Sequence, residues 1–140
     1  MEPVLSVEEL QQITVDAFPD WNVPIVESLS DDTLVLAQPL SERNGRPGGT
    51  VSGPTMMAIA DSAAWLVILA HIGPVLLAVT TSLHIDFLRK PDIADLVARA
   101  RLIKLGRRLA VVDVELTSRG SSDLVAKAQV TYSIPPRPSR

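Results

Sequence analysis

The stretch SGPTMMAIADSAAWLVILAH, residues 52 to 71, carries one carboxylate, Asp61, near the middle of an otherwise apolar run. A helix that is apolar all round is a buried one, and a charge buried there is costly unless it is paired. Chemistry can justify the position. A carboxylate in apolar surroundings is a stronger base once ionised, suited to taking a proton or attacking a carbonyl. The bland reading is a carboxylate that reaches solvent or caps a neighbouring backbone group. Competing nucleophiles are scarce. The chain has no cysteine, which removes a thiolate, a disulfide framework and a zinc–thiolate cluster. With His71 and His84 as the two histidines, no metal site is expected.

The elements that would position Asp61 follow from pattern. With 140 residues, 46% hydrophobic and 21% charged, the chain suits one globular domain with a single core. Its net charge of -3 argues against nucleic acid as a partner, since phosphate binding needs a clustered positive surface. The N-terminus MEPVLSVEELQQ has neither a basic flank nor an apolar segment, so no signal peptide is expected and the location is read as cytoplasmic. The apolar region around residues 51–81 is interrupted by Asp61, His71, Gly73 and Pro74. Its longest unbroken apolar run falls short of the roughly 20 residues of a membrane span, and no membrane contact is expected.

A short helix is predicted from Ser6 to Phe18, with Ser6 and Glu9 in capping-box positions. Strands are predicted over Val23–Ser28 and Thr33–Gln38, joined at SDD, then a loop SERNGRPGGTVSGP. The long helix runs from about Pro54 to His71, capped by Ser52 or Gly53 and closed by Gly73 and Pro74. Four alternating strands follow. Leu83, Ile85 and Phe87 form one apolar face, and Leu96, Ala98, Ala100 and Leu102 the next. Val112, Val114 and Leu116 continue the series, and Ala126, Ala128, Val130 and Tyr132 complete it. The expected fold is α+β, with an antiparallel sheet of about six strands wrapped around one helix. The tail PPRPSR, about residues 135–140, reads as a loose end.

The segments VSGPTMMAIADSAAW, VTTSLHIDFLRKP, LIKLGRRLAVVDVEL and LVAKAQVTYSI resemble the hotdog-fold acyl-CoA thioesterases, specifically the phenylacetate-pathway, PaaI-like group, from about Asn44 to Ile134. That family's motif has a loop Asn, then His-Gly-Gly, then an acidic residue seven positions on. The resemblance implies Asp61 as the catalytic acid, Gly53 as the first Gly, Thr80 as a residue holding the acid or the water, and Asn44 as the loop Asn. Ser52 stands in place of the family's His, and Pro54 in place of its second Gly. The implied substrate is an acyl-CoA, with no cofactor beyond the CoA of the substrate itself.

The residues allow the same chemistry. The Gly53 N–H lies at the positive end of the helix, where it could cap or stabilise an oxyanion. Gly53 and Asp61 are about 12 Å apart along one helix, so one carbonyl cannot lie about 3 Å from both. If both act, the site combines two chains. This agrees with the dimer-interface sites the resemblance implies, so a homodimer and beyond it a homotetramer are expected. The resemblance also implies that Arg89, Lys90, Lys104, Arg107 and Arg108 lie near the nucleotide end of CoA, where they are candidates for its phosphates, against the alternative of solvated turns. Trp65 reads as core or as lining an acyl pocket, His84 as structural, and His71 as a partner of the helix C-terminus. Ser52 and Pro54 keep open a second reading, a hotdog protein that binds acyl-CoA or serves a structural role without turnover.

Overall fold

The computed structural model describes residues 2–41 and 51–136. Helix α1, Val7–Ala17, starts with the predicted capping box: Ser6 Oγ accepts from the Glu9 N–H at 3.1 Å and Glu9 Oε1 accepts from the Ser6 N–H at 3.1 Å. A 3₁₀ turn, Asp20–Asn22, leads into β1, Ile25–Ser30, and β2, Thr33–Gln38. β1 begins two residues later than the sequence pattern suggests, after Pro24, which has no N–H to give to a ladder. The hairpin turns at Asp31, whose φ of 46° lies in the left-handed region that Asp tolerates better than most residues. Helix α2, Gly53–Ile72, is followed by β3, Val79–Phe87, β4, Leu96–Leu105, β5, Leu109–Ser118, and β6, Leu124–Ser133.

The six strands form one antiparallel sheet in the order β1-β2-β4-β5-β6-β3. Its inner face is the set of apolar positions read from alternation: Ala98 and Ala100, Val112 and Val114, Ala126, Ala128 and Val130 are all buried against α2. Each large apolar side chain removed from water there contributes roughly 1.5–3 kcal/mol. Helix α2 supplies the other half of the core with Leu66, Val67, Ile68 and Leu69, all at 0% exposure. It is the helix long and apolar enough to cross a membrane, and its burial under the sheet accounts for that composition.

The ends of α2 are fixed locally. Ser52 is the N-cap, with its Oγ accepting from the Thr55 N–H at 3.3 Å, and Pro54 sits in the first turn. Gly73, at φ 92°, closes the helix and donates to the Leu69 carbonyl. His71 is buried beside it, with ring nitrogens 2.8 Å from the carbonyls of Val67 and Asp31, which ties the helix end to the β1–β2 turn. One expectation changes: α2 is not covered on every side. Pro54, Met57 and Ala58 are exposed and Asp61, Ser62 and Trp65 half-buried, forming a stripe at helical spacing that the sheet of the same chain does not reach.

Candidate functional site

Asp61 lies on that stripe, in a cavity of about 290 Å³ lined by Asp61, Ser62, Trp65, Ala78, Val79, Thr80 and Tyr132. Its Oδ1 accepts two hydrogen bonds, from Thr80 Oγ1 at 2.7 Å and from the Tyr132 hydroxyl at 2.8 Å. Among the described residues nothing donates to Oδ2. The carboxylate is therefore held by one oxygen and free at the other. Such an arrangement leaves a group able to take a proton or attack an electrophile without giving up its anchor.

A backbone irregularity aims Thr80. The β3–β6 register runs Ile85↔Ala128 and Leu83↔Val130, which puts odd-numbered β3 residues on the inner face. Left unbroken, that alternation would turn Thr80 outward. The register shifts between Thr80 and Ser82, so that Thr80 stands opposite Tyr132. One extra residue, Thr81, reverses the facing of what precedes it.

Tyr132 lines the same cavity and bonds Asp61, and nothing in the sequence pattern singles it out. Alternation assigns it to the apolar face of the last strand, and it does lie there, 4% exposed. A buried tyrosine hydroxyl needs a partner, however, and the polar candidate on the facing helix is Asp61. Burial, helped by the negative charge of Asp61 and opposed by the hydrogen bond with Thr80, holds the phenol above its ordinary range. It remains a donor. Because the folded state keeps a proton that the unfolded phenol loses near pH 10, stability from this group is intact below that pH and falls as pH rises past it. Tyr132 is the chain's one tyrosine, so tyrosinate absorbance reads it alone. The absorbance should appear only well above pH 10 in the native protein and near pH 10 in denaturant. Coincident titrations would contradict the burial.

Gly53 lies in a different place. With Val51, Met56, Phe87, Leu88, Arg89, Lys90 and Pro91 it lines a depression of about 390 Å³ at the start of α2. Among the described residues nothing accepts from the Gly53 N–H, one of the free donors of a helix N-terminus. A Cβ at Gly53 would meet Phe87 Cζ at 3.7 Å, so the end of β3 closes against the start of α2. Thr80 and Phe87 are seven residues apart on β3, roughly 23 Å at about 3.3 Å per residue. One chain thus keeps its free N–H and its carboxylate in separate cavities.

The predicted phosphate ligands divide accordingly. Arg89 and Lys90 share the Gly53 depression. Arg89 is partly engaged: its Nε donates to the Leu124 carbonyl at 3.0 Å and its Nη1 lies 3.5 Å from Asp123 Oδ2. Arg108 and Arg107 occupy the β4–β5 turn, two and three residues beyond Ala110 of the Thr80–Tyr132–Ala110 row and so at the Asp61 end of β3. Arg108 Nε donates to the Ile134 carbonyl at 3.2 Å. Lys104 stands opposite Val111, on the outer face of the sheet, and is brought to neither cavity. Trp65 lines the Asp61 cavity, one turn beyond the carboxylate. Ser52 is occupied as the helix cap. Asn44 lies outside the described residues. His84 pairs with Asp86 at 3.1 Å on the exposed outer face.

Comparison with known proteins gives the family. A family model described as the thioesterase superfamily matches residues 48–132. A provisionally assigned thioesterase from Silicibacter sp. TM1040, known as a crystal structure, is 43% identical, with a TM-score of 0.89 over 97% of this chain and 96% of that one. A mutant of the phenylacetic acid degradation protein PaaI from Thermus thermophilus is 32% identical, with a TM-score of 0.68 over 80% of this chain and 93% of that one. A provisionally assigned esterase of Thermoplasma acidophilum is 28% identical over 109 residues, 78% of this chain and 81% of its own length. With residues 48–132 matched, well over half its length, the chain belongs to the thioesterase superfamily and has its hotdog fold.

Proposed function

We propose that the protein hydrolyses an acyl-CoA thioester to a free acid and CoA, at a site that two chains complete. Membership of the thioesterase superfamily gives the reaction class, cleavage of a thioester. The observation that carries the finer reading is the Asp61 carboxylate, anchored through Oδ1 by Thr80 and Tyr132 with Oδ2 free. Oδ2 takes the proton of an attacking water, or attacks the thioester carbonyl itself; both routes use the same oxygen. The oxyanion that forms is stabilised by the Gly53 N–H at the positive end of α2. By the water route, collapse breaks the C–S bond and the proton held on Oδ2 passes to the thiolate, giving the free acid and the CoA thiol. By direct attack, collapse leaves a mixed anhydride on Asp61, which a water then cleaves to the free acid while its proton goes to the thiolate.

The observation that supports a two-chain site is β3. It is a sheet edge nine residues long, regular from Ser82 to Phe87 beyond its bulge and without Pro or Lys, and such an edge is a template for another strand. If two β3 edges pair antiparallel about a two-fold axis, the start of one strand faces the end of the other. The Thr80 end of one chain, with Asp61, then meets the Phe87 end of its partner, with Gly53. The same pairing brings the turn at Arg107 and Arg108 toward the depression holding Arg89 and Lys90. The homodimer gathers what one chain keeps apart.

Ser52 and Pro54 do not weaken this reading, because both have work at the start of α2 as cap and first-turn residue, and neither removes the Gly53 N–H. The test is turnover of butyryl-CoA, hexanoyl-CoA and phenylacetyl-CoA, read as released thiol, for the parent and for Arg89→Ala/Lys90→Ala. Contacts to the remote phosphates supply largely uniform binding, so the variant should raise KM roughly tenfold with little change in kcat. An unchanged KM would remove Arg89 and Lys90 from the CoA site. No thiol release from any of the three would count against acyl-CoA hydrolysis itself.

A further inference from the structure

We propose that Tyr132 is a positioning residue for the reacting carboxylate: with Thr80 it locks Asp61 Oδ1, and so selects Oδ2 as the oxygen that does the chemistry. The inference rests on the reading of Asp61 given above. The inner face of β6 reads Ala126, Ala128, Val130, Tyr132, all buried and apolar up to the final hydroxyl. Phenylalanine would fill the same space without a polar atom to satisfy, and an unpaired buried hydroxyl is costly. The hydroxyl has its acceptors on one residue, Asp61, with Oδ1 at 2.8 Å and the main-chain carbonyl at 3.1 Å, and it also meets the Thr80 hydroxyl. Thr80, brought to the inner face by the β-bulge, donates to the same Oδ1 from the neighbouring strand at 2.7 Å. Two donors on one oxygen leave the carboxylate a single orientation.

A competing role exists on the same atoms. The same hydroxyl proton is shared with the Asp61 main-chain carbonyl, so Tyr132 also pins β6 to α2 through an acceptor that any residue at position 61 would keep. The two roles separate in a double-mutant cycle. Loss of a pin lowers activity by the same factor whatever stands at position 61. Loss of a positioning bond lowers it only while the carboxylate is present.

The experiment measures kcat, KM and melting temperature for the parent, Tyr132→Phe, Asp61→Asn and the double variant, using the best substrate among the three acyl-CoA thioesters. Tyr132→Phe should lower kcat roughly tenfold, the scale of one hydrogen bond to a charged group, with KM changed less than about twofold. Added to Asp61→Asn it should lower kcat no further. An equal loss in both backgrounds, or a parental kcat in Tyr132→Phe beside an inactive Asp61→Asn, overturns the positioning role. A parental rate in Asp61→Asn instead overturns the reading of Asp61, and this inference with it. If Tyr132→Phe does not fold, the intact side chain still reports. Global replacement by 3-fluorotyrosine labels Tyr132 alone, since the chain has one tyrosine. Its ¹⁹F resonance should move when Asp61→Asn removes the charge, and an unmoved resonance overturns the proposal.

Discussion

Replacing Asp61 by Asn is expected to cut hydrolysis by roughly 10²-fold or more, the scale that general base catalysis contributes, while leaving the melting temperature unchanged or higher. Asn keeps the shape and an Oδ1 that can accept from Thr80 and Tyr132, so the hydrogen bonds that fix the parent side chain at 2.7 and 2.8 Å have a counterpart. What it lacks is a second oxygen able to take a proton or attack. If the carboxylate instead served the fold, the opposite pair would follow: turnover would survive and stability would drop with a lost structural interaction. Rate and melting temperature from one sample of Asp61→Asn separate the alternatives, and a destabilised variant at the parental rate would end the catalytic reading.

The second large effect is expected at Gly53, where the acting group is a backbone N–H that only proline removes. Proline suits the first turn of a helix. The residue before it, Ser52, already has the extended φ of -78° and ψ of 159° that precede a proline. The Cβ it brings meets Phe87 at an ordinary contact distance of 3.7 Å. Loss of one oxyanion donor costs about 10²–10³ in kcat, so Gly53→Pro should fall by that factor. Gly53→Ala keeps the N–H and should stay near the parent. Equal rates in the two variants would remove the N–H from the mechanism.

Alternation and capping made most of the fold legible. The inner faces of β4, β5 and β6, the capping box of α1 and both ends of α2 follow from residue types whose local preference agrees with their tertiary place. What pattern could not supply has physical reasons. Pro24 delays β1 because it cannot donate, and an apolar count does not register that. The open stripe along α2 is invisible in a helix that is apolar all round, since Met57 and Ala58 look like core wherever they face. In the site, Asp61 stands out as the one charge in its segment, and the family resemblance supplies Thr80. The period-2 pattern of β3 would turn Thr80 outward, and only the bulge at Thr81 reverses it. Tyr132 is hidden because its ring obeys the apolar pattern while its hydroxyl does not. The separation of Gly53 from Asp61 is legible from helical rise alone.

Whether one chain's Gly53 works with its partner's Asp61 is tested most directly by subunit mixing. Asp61→Asn and Gly53→Pro chains, each nearly inactive alone, are co-expressed in equal amounts under different tags, and turnover is measured on the mixture. In a two-fold dimer with shared sites, half of the dimers are mixed, and each mixed dimer holds one site with Gly53 and Asp61 both intact. Activity should therefore return to about a quarter of the parental value. Activity no greater than the average of the two variants measured separately, with mixed dimers present by tag, would show that no site is shared between chains.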